Sequence, residues 1–197
     1  MSMPGKPLIA AVAMAALSVL FTGCATTVNN DEVVRKANPV KEMHQELKAK
    51  EAAEKSALKW ESYEDALVRA RKEGKFVMVD FFAVWCKWCK KMDADTYADP
   101  RVAEALNADF VVVKVDAESE KTVVHEMRQM SMAELADVYK VGSFPSIWFL
   151  DKDGHQAKLL NGYLPPDDFL KYLQYIKGGR YKDMTFEEYV AKGGDGK

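Results

Sequence analysis

The sequence predicts an α/β fold, one mixed central β-sheet flanked by helices on both faces. Two runs, Phe76–Phe82 (FVMVDFF) and Phe110–Val115 (FVVVKV), are almost continuously apolar and rich in β-branched and aromatic residues, so they read as strands buried on both sides. Two later runs, Ser146–Leu150 and Gln156–Leu160, flank Asp153-Gly154 and read as a β-hairpin. Helical segments fall between and after these strands. The order is therefore βαβ followed by ββα, and no internal repeat is present.

Each helix carries its own start and stop signals. Ser62-x-x-Asp65 has the form of a capping box, and Trp60, Tyr63, Leu67 and Ala70 follow a helical face that ends at Gly74. Asp99-Pro100 caps a helix through Leu106, with proline in the first turn. Glu118–Met132 reads as a helix burying Val123, Val124, Met127 and Met130, methionine serving as gap filler. Its His125, Met127, Met130 and Met132 also form a thioether and imidazole set of the kind that suits Cu(I). Ser131-x-x-Glu134 caps a helix through Tyr139. Pro165-Pro166 open a last long helix with Phe169, Leu170, Leu173 and Ile176 inward, stopped by Gly178-Gly179. Met184–Tyr189 reads as one capped turn packed on the domain.

Composition bounds the function. A chain of 197 residues allows one ordinary domain plus accessory segments. With 48% hydrophobic residues it is too apolar to be disordered. The balance of 28 Lys+Arg against 30 Asp+Glu gives no footprint for nucleic acid. Three cysteines exclude a disulfide-stapled mini-fold.

The accessory segments point outward from the cytoplasm. Residues 1–23 hold one charged side chain, Lys6, followed by the apolar run Leu8–Phe21. As a helix that run reaches only about 21 Å, short of the roughly 30 Å hydrocarbon core, so it reads as a signal peptide. Thr22-Gly23-Cys24-Ala25 resembles the lipobox of bacterial lipoproteins, with Phe21 where leucine is usual. That resemblance implies lipidation of Cys24 and, with Ala25 next, the outer membrane of a Gram-negative cell. Ordinary cleavage after Ala25 is the alternative; either way the protein is exported and Cys24 takes no part in redox chemistry. Residues 25–58 contain no aromatic side chain and are interrupted by Pro39, with Val40, Met43 and Leu47 at helical spacing, and read as a polar tether. The expected organisation is a signal peptide over 1–23, a lipid-anchored tether over 24–58, a folded domain over 59–178 and an extension over 179–197.

The chemistry sits in Trp85-Cys86-Lys87-Trp88-Cys89-Lys90, between the first buried strand and the next helix. Two cysteines three apart at a helix start lie one turn from each other and are close enough to bridge. The first sits where free backbone N–H groups and the helix dipole favour an anion, which makes a thiolate available near neutral pH. The second lies deeper and can attack a mixed disulfide formed by the first. A purely structural disulfide over so short a span would remove little chain entropy. Zinc needs four ligands, and beyond this pair only the scattered His44, His125 and His155 remain; no metal is expected. Haem attachment needs histidine at position 90, which is lysine.

VDFFAVWCKWCK resembles the active-site segment of thioredoxin-fold proteins, and Val141-Gly142-Ser143-Phe144-Pro145-Ser146 resembles the family's cis-proline loop. The resemblance covers about residues 60–177. Through Lys90-Lys91-Met92 and Asp99-Pro100-Arg101-Val102 the chain is most similar to exported thioredoxin-like proteins and to the C-terminal periplasmic domain of membrane thiol–disulfide interchange reductases. It implies Cys86 as attacking nucleophile, Cys89 as resolving thiol, Asp80 as the buried carboxylate that relays the resolving proton, and Lys114 as the lysine paired with it. A carboxylate within an apolar strand should have a raised pKa, which suits acid–base work near neutrality. Lys114 is also readable as a plain exposed strand lysine. The resemblance further implies a cis bond before Pro145, with the backbone of Phe144 holding an extended substrate strand. Trp85 and Trp88 read as an apolar rim for substrate, with core packing an equal alternative for Trp85. Lys87 favours the thiolate, and the absence of histidine between the cysteines removes a larger effect of that kind; Ser146 stands where the family usually has threonine.

The expected function is thiol–disulfide oxidoreduction in the cell envelope. It would act on disulfides of exported proteins, draw electrons from a membrane thiol reductant, and need no cofactor beyond the Cys86–Cys89 pair. The competing readings are a disulfide-donating oxidase and a non-catalytic binding module, either a holdase or a copper handler. For the anchor, Cys24→Ser is expected to abolish labelled-palmitate incorporation and to move the protein to the soluble fraction. Recovery of an unlabelled, soluble wild-type chain beginning at Thr26 would contradict lipidation.

Overall fold

A computed structural model describes residues 39–194. The expected signal peptide, Cys24 and the first part of the tether lie outside the described residues. The chain divides into two compact units, residues 1–43 and 44–197, each considered by itself. Helix α1 (Pro39–Ser56) spans that boundary, and no described helix is long and apolar enough to cross a membrane.

In the larger unit, β1 (Trp60–Glu61) leads into α2 (Tyr63–Glu73), β2 (Phe76–Phe82) and α3 (Lys87–Lys91). A π-helical turn, Met92–Tyr97, follows α3 directly, and α4 (Pro100–Asp109) and β3 (Phe110–Asp116) come next. A two-stranded ribbon of β4 (Thr122–His125) and β5 (Arg128–Ser131) precedes α5 (Met132–Val138). Strands β6 (Ser146–Leu150) and β7 (Gln156–Asn161), then α6 (Pro166–Lys177) and α7 (Phe186–Ala191), complete the order. The main sheet runs β1-β3-β2-β6-β7, with β1, β3 and β2 parallel and β6 and β7 antiparallel.

The local signals act as physical stops and starts. Ser62 accepts the Asp65 backbone N–H at 3.2 Å, and Gly74 ends α2 with φ 72°, a left-handed conformation that glycine adopts without a Cβ clash. Ser131 and Glu134 close a reciprocal capping box on α5, and Thr185 and Glu188 do the same on α7. Asp99 caps α4 with Pro100 in its first turn.

Strand alternation divides the core. Val77, Val79 and Phe81 of β2 pack with Tyr63, Ala66, Leu135 and Tyr139 on the face covered by α2 and α5. Met78 packs with Leu106, Phe169 and Ile176 on the face covered by α4 and α6. Burying each such large side chain contributes about 1.5–3 kcal/mol, so both faces are substantial. Tyr189 of α7 is buried in the second of these cores.

Two elements differ from the sequence reading. Trp60 does not start a helical face: the cap is Ser62, and Trp60 instead lies in β1, paired with Val112 of β3. Glu118–Met132 is not a helix. Its β-branched Thr122-Val123-Val124 pairs as a strand with Arg128–Ser131, burying Val123 and leaving Val124 and Met127 exposed. The ribbon turns through Glu126 and Met127 at φ 48° and 63°, the left-handed pair that a two-residue turn requires.

Met127 is 97% exposed and so contributes no packing to set against its left-handed backbone. Met127→Gly is therefore expected to raise unfolding free energy by up to about 1 kcal/mol in urea titrations. A clear loss of stability would show that the methionine side chain supports the turn.

Candidate active site

The central strand β2 delivers the site. It ends at Phe82, and the turn through Ala83 and Val84 brings Cys86 to the N-cap of α3. The Cys86 Sγ accepts the Cys89 backbone N–H at 3.0 Å, the contact that would hold a thiolate at this position. Cys86 and Cys89 are joined in a disulfide, their Cα atoms 5.3 Å apart. Exposure barely separates the two residues, at 4% and 3%. Their difference lies in helix position, Cys86 at the cap and Cys89 within the first turn, and the expected difference in depth is slight.

Ala83 and the cysteines pack together beneath Phe82 and Phe144. The Phe144–Pro145 peptide is cis. The Pro145 carbonyl accepts the Gly162 N–H at 2.9 Å, and the Ser146 hydroxyl donates to the Ser143 carbonyl at 2.7 Å, which ties this loop to the end of β7.

Both tryptophans lie on the surface. Trp85 is 62% exposed, edge-on to Phe144 at 5.8 Å, and its indole N–H donates to the Glu118 carboxylate at 2.9 Å. It belongs to the rim and not to the core. Trp88 is 57% exposed and lies 5.6 Å from the ring of Tyr163. Tyr163 is held in turn by its hydroxyl bond to Asp95 at 3.2 Å and by Lys91, 5.0 Å from its ring centre. Lys87 is exposed.

Asp80 is completely buried, on the same strand face as Met78 and Phe82. Desolvation pushes its pKa from 3.8 up to about 7; the Lys114 charge opposes this, Asp93 adds to it, and Tyr97 lowers it. Lys114 lies directly opposite Asp80 in the β2–β3 register. Its ammonium, however, forms its ion pair with Asp93 of the π-helical turn, and not with Asp80 as expected. It reaches Asp93 across a cage of rings, 5.1 Å from Phe82, 5.3 Å from Trp60 and 5.8 Å from Tyr97. The expected Asp80–Lys114 pair is thus an electrostatic coupling across the sheet, because the long lysine stem reaches past the buried carboxyl to a partner nearer solvent.

The sequence reading brought Cys86, Cys89, Phe144, Pro145 and the two tryptophans to one end of the sheet, with Asp80 and Lys114 in the strands behind them. It missed Asp93, Glu118 and Tyr163. Asp93, four residues after Cys89, had the one usable signal, helical spacing from a site residue. In the methionine-rich ribbon the His125 Nδ1 is 2.8 Å from the Tyr63 hydroxyl, while Met127 stands at the exposed tip. Among the described residues, no group of three or more His, Cys, Asp or Glu side chains is placed to hold a metal ion.

A cysteine pair at a helix cap, placed after the central strand of such a sheet, defines a thioredoxin-like site. Residues 63–177 match the family model of the thioredoxin-like domain, and the chain belongs to that family. Among its relatives are the thiol:disulfide interchange protein DsbD of Colwellia psychrerythraea and the disulfide bond reductase DsbH of Chlamydia pneumoniae. The first is 29% identical over 130 residues, 65% of this chain and 20% of the relative. The second is 32% identical over 100 residues, 50% of this chain and 60% of the relative. A thioredoxin from Thermus thermophilus has a similar structure, with TM-score 0.50, 32% identity, and coverage of 61% of this chain and 87% of that one. A thioredoxin-fold protein from Helicobacter pylori gives TM-score 0.51 at 27% identity, covering 61% and 80%. The chain therefore spans about a fifth of the length of DsbD.

Burial of Asp80 has a thermodynamic consequence. Its folded pKa of about 7 lies above the ordinary 3.8. The folded state therefore holds a proton that the unfolded chain has lost between those values, and stability falls as pH rises through that window, by about 1.4 kcal/mol per pH unit. Asp80→Asn is expected to match the wild type closely near pH 4 and to exceed it by about 3–5 kcal/mol at pH 8, read by urea unfolding. A gap that shrank with rising pH would contradict the buried, ionisable carboxyl.

Proposed function

We propose that this protein is a thiol–disulfide oxidoreductase of the cell envelope that reduces or exchanges disulfides of exported proteins. The observation that carries this reading is the Cys86–Cys89 disulfide at the cap of α3, just after the strand that buries Asp80. The names of its relatives, an interchange protein and a disulfide bond reductase, support the chemistry and favour reduction.

In the reduced protein the Cys86 thiolate, favoured by the cap N–H and by Lys87, attacks one sulfur of a substrate disulfide. A Cys86–substrate bond forms, and the other substrate sulfur leaves as a thiolate. Asp80, ionised in part near neutrality, takes the Cys89 proton. The Cys89 thiolate then attacks the Cys86 Sγ, which restores the intramolecular disulfide and frees the second substrate sulfur as a thiolate. Two electrons pass from the dithiol to the substrate, and an external dithiol must return them. The supply fits a membrane thiol reductant, since an exported dithiol faces an oxidising compartment. No cofactor enters these steps.

Substrate would lie extended against the backbone of Phe144, between the two aromatic pairs Trp85–Phe144 and Trp88–Tyr163. The apolar start, the lipobox-like Cys24 and the polar segment before the domain support a lipid-anchored placement on the periplasmic side, at the outer membrane.

Cys86→Ala is expected to abolish dithiothreitol-driven reduction of insulin disulfides, and Cys89→Ala to accumulate mixed disulfides with substrates. Limited alkylation of the reduced protein at about pH 6–7 should label Cys86 first. Faster labelling of Cys89 would reverse the two roles. Full insulin-protecting activity in both variants without turnover in the wild type would make the protein a binding module.

A further inference from the structure

The π-helical turn Met92–Tyr97 adds a residue to the helix leaving the cysteine pair, a distortion found often at functional sites. It carries Tyr97 into the core beside Trp60, ring centres 5.4 Å apart, and Phe169, 5.9 Å apart. The Tyr97 hydroxyl and the Asp80 Oδ1 are both buried and neither closes a hydrogen bond of ordinary geometry, although the two groups lie near enough for each to shift the other's pKa. Buried polar atoms are seldom left unpaired, and each costs about 1–3 kcal/mol when they are. A phenylalanine would fill the same space without that cost, so the hydroxyl needs a reason.

The surroundings of Asp80 supply one. The groups facing its carboxyl are Lys114 from β3, Asp93 and Tyr97 from the π-helical turn; its neighbour on β6 is the uncharged Ile147. Lys114 is engaged by Asp93, which leaves the Tyr97 hydroxyl as the donor for a newly formed carboxylate. Burial and the Asp80 charge hold the Tyr97 hydroxyl well above its ordinary pKa, so it remains a neutral donor.

We propose that Tyr97 is a positioning residue for proton transfer at Asp80, its hydroxyl donating a hydrogen bond to the Asp80 carboxylate. This rests on the reading of Asp80 as acceptor of the Cys89 proton. In that step the Cys89 S–H bond breaks and an Asp80 O–H bond forms; Tyr97 keeps its own proton and releases its hold on the carboxylate.

The test is the titration of the Asp80 carboxyl carbon by NMR in the full chain, with the Cys86–Cys89 disulfide formed so that no site thiol titrates in the same range. Tyr97→Phe removes the donor and is expected to raise the Asp80 midpoint by about one pH unit. The rate of mixed-disulfide resolution at pH 7 should fall roughly fivefold, with its pH profile displaced by the same amount. In the unaltered chain, the Tyr97 ring carbon bearing the hydroxyl should respond at the Asp80 midpoint, and this response should vanish in Asp80→Asn; that measurement holds even if Tyr97→Phe folds poorly. An Asp80 midpoint that is unchanged or lower in folded Tyr97→Phe, or a Tyr97 resonance indifferent to Asp80, overturns the proposal. A raised midpoint with an unmoved rate profile would uphold the Tyr97–Asp80 bond and remove Asp80 from the proton path.

Discussion

A carboxyl buried in the middle of an apolar central strand constrains everything around it. Asp80 lies between β3 and β6 and has no access to water, so burial raises its pKa to about 7, and Lys114 and Tyr97 offset only part of the cost of the charged form. The register that places Lys114 opposite Asp80 is the same register that aligns Val77, Val79 and Phe81 with the core of the opposite face. A one-residue slip would exchange the two faces and break both. The strand therefore holds its most costly residue two positions before the chain leaves it toward the cysteine pair, and the buried carboxyl lowers stability at neutral pH.

Much of the fold was legible because its determinants are local. Caps at Ser62, Asp99, Ser131 and Thr185, the stop at Gly74 and the Asp153-Gly154 turn each act over three or four residues. The ribbon of β4 and β5 was illegible for a definite reason. Val123 and Met130 are seven apart, which satisfies helical spacing, and they are also cross-strand partners, which places them side by side in a ribbon. Only contacts from outside separate the two: the Glu64 carboxylate accepts the Val124 N–H at 2.6 Å, and the Tyr63 hydroxyl meets His125.

The site divides in the same way. Cys86, Cys89, Phe144 and Pro145 belong to compact motifs that can be read along the chain. Glu118 under Trp85, Tyr163 under Trp88 and Asp93 on Lys114 are meetings of separate elements, and their effect is on the tryptophans and the lysine that the motif does announce. Glu118 lies in the turn that follows β3, whereas Tyr163 packs with the α4–α6 core. Phe144, which meets Trp85, packs against Ala83 and the two cysteines, so the two aromatic pairs rest on different clusters.

Direction of electron flow follows from how strongly the Cys86 thiolate is held. Its supports are one cap N–H at 3.0 Å and the nearby Lys87, with no histidine between the cysteines. These should stabilise the reduced form only in part. The most direct measurement is equilibration of the Cys86–Cys89 couple with glutathione buffers, read by tryptophan fluorescence. A midpoint of about −180 to −270 mV agrees with a reductant kept reduced by an external donor. A midpoint near the roughly −120 mV of a strong oxidant would contradict it and make the protein a donor of disulfides.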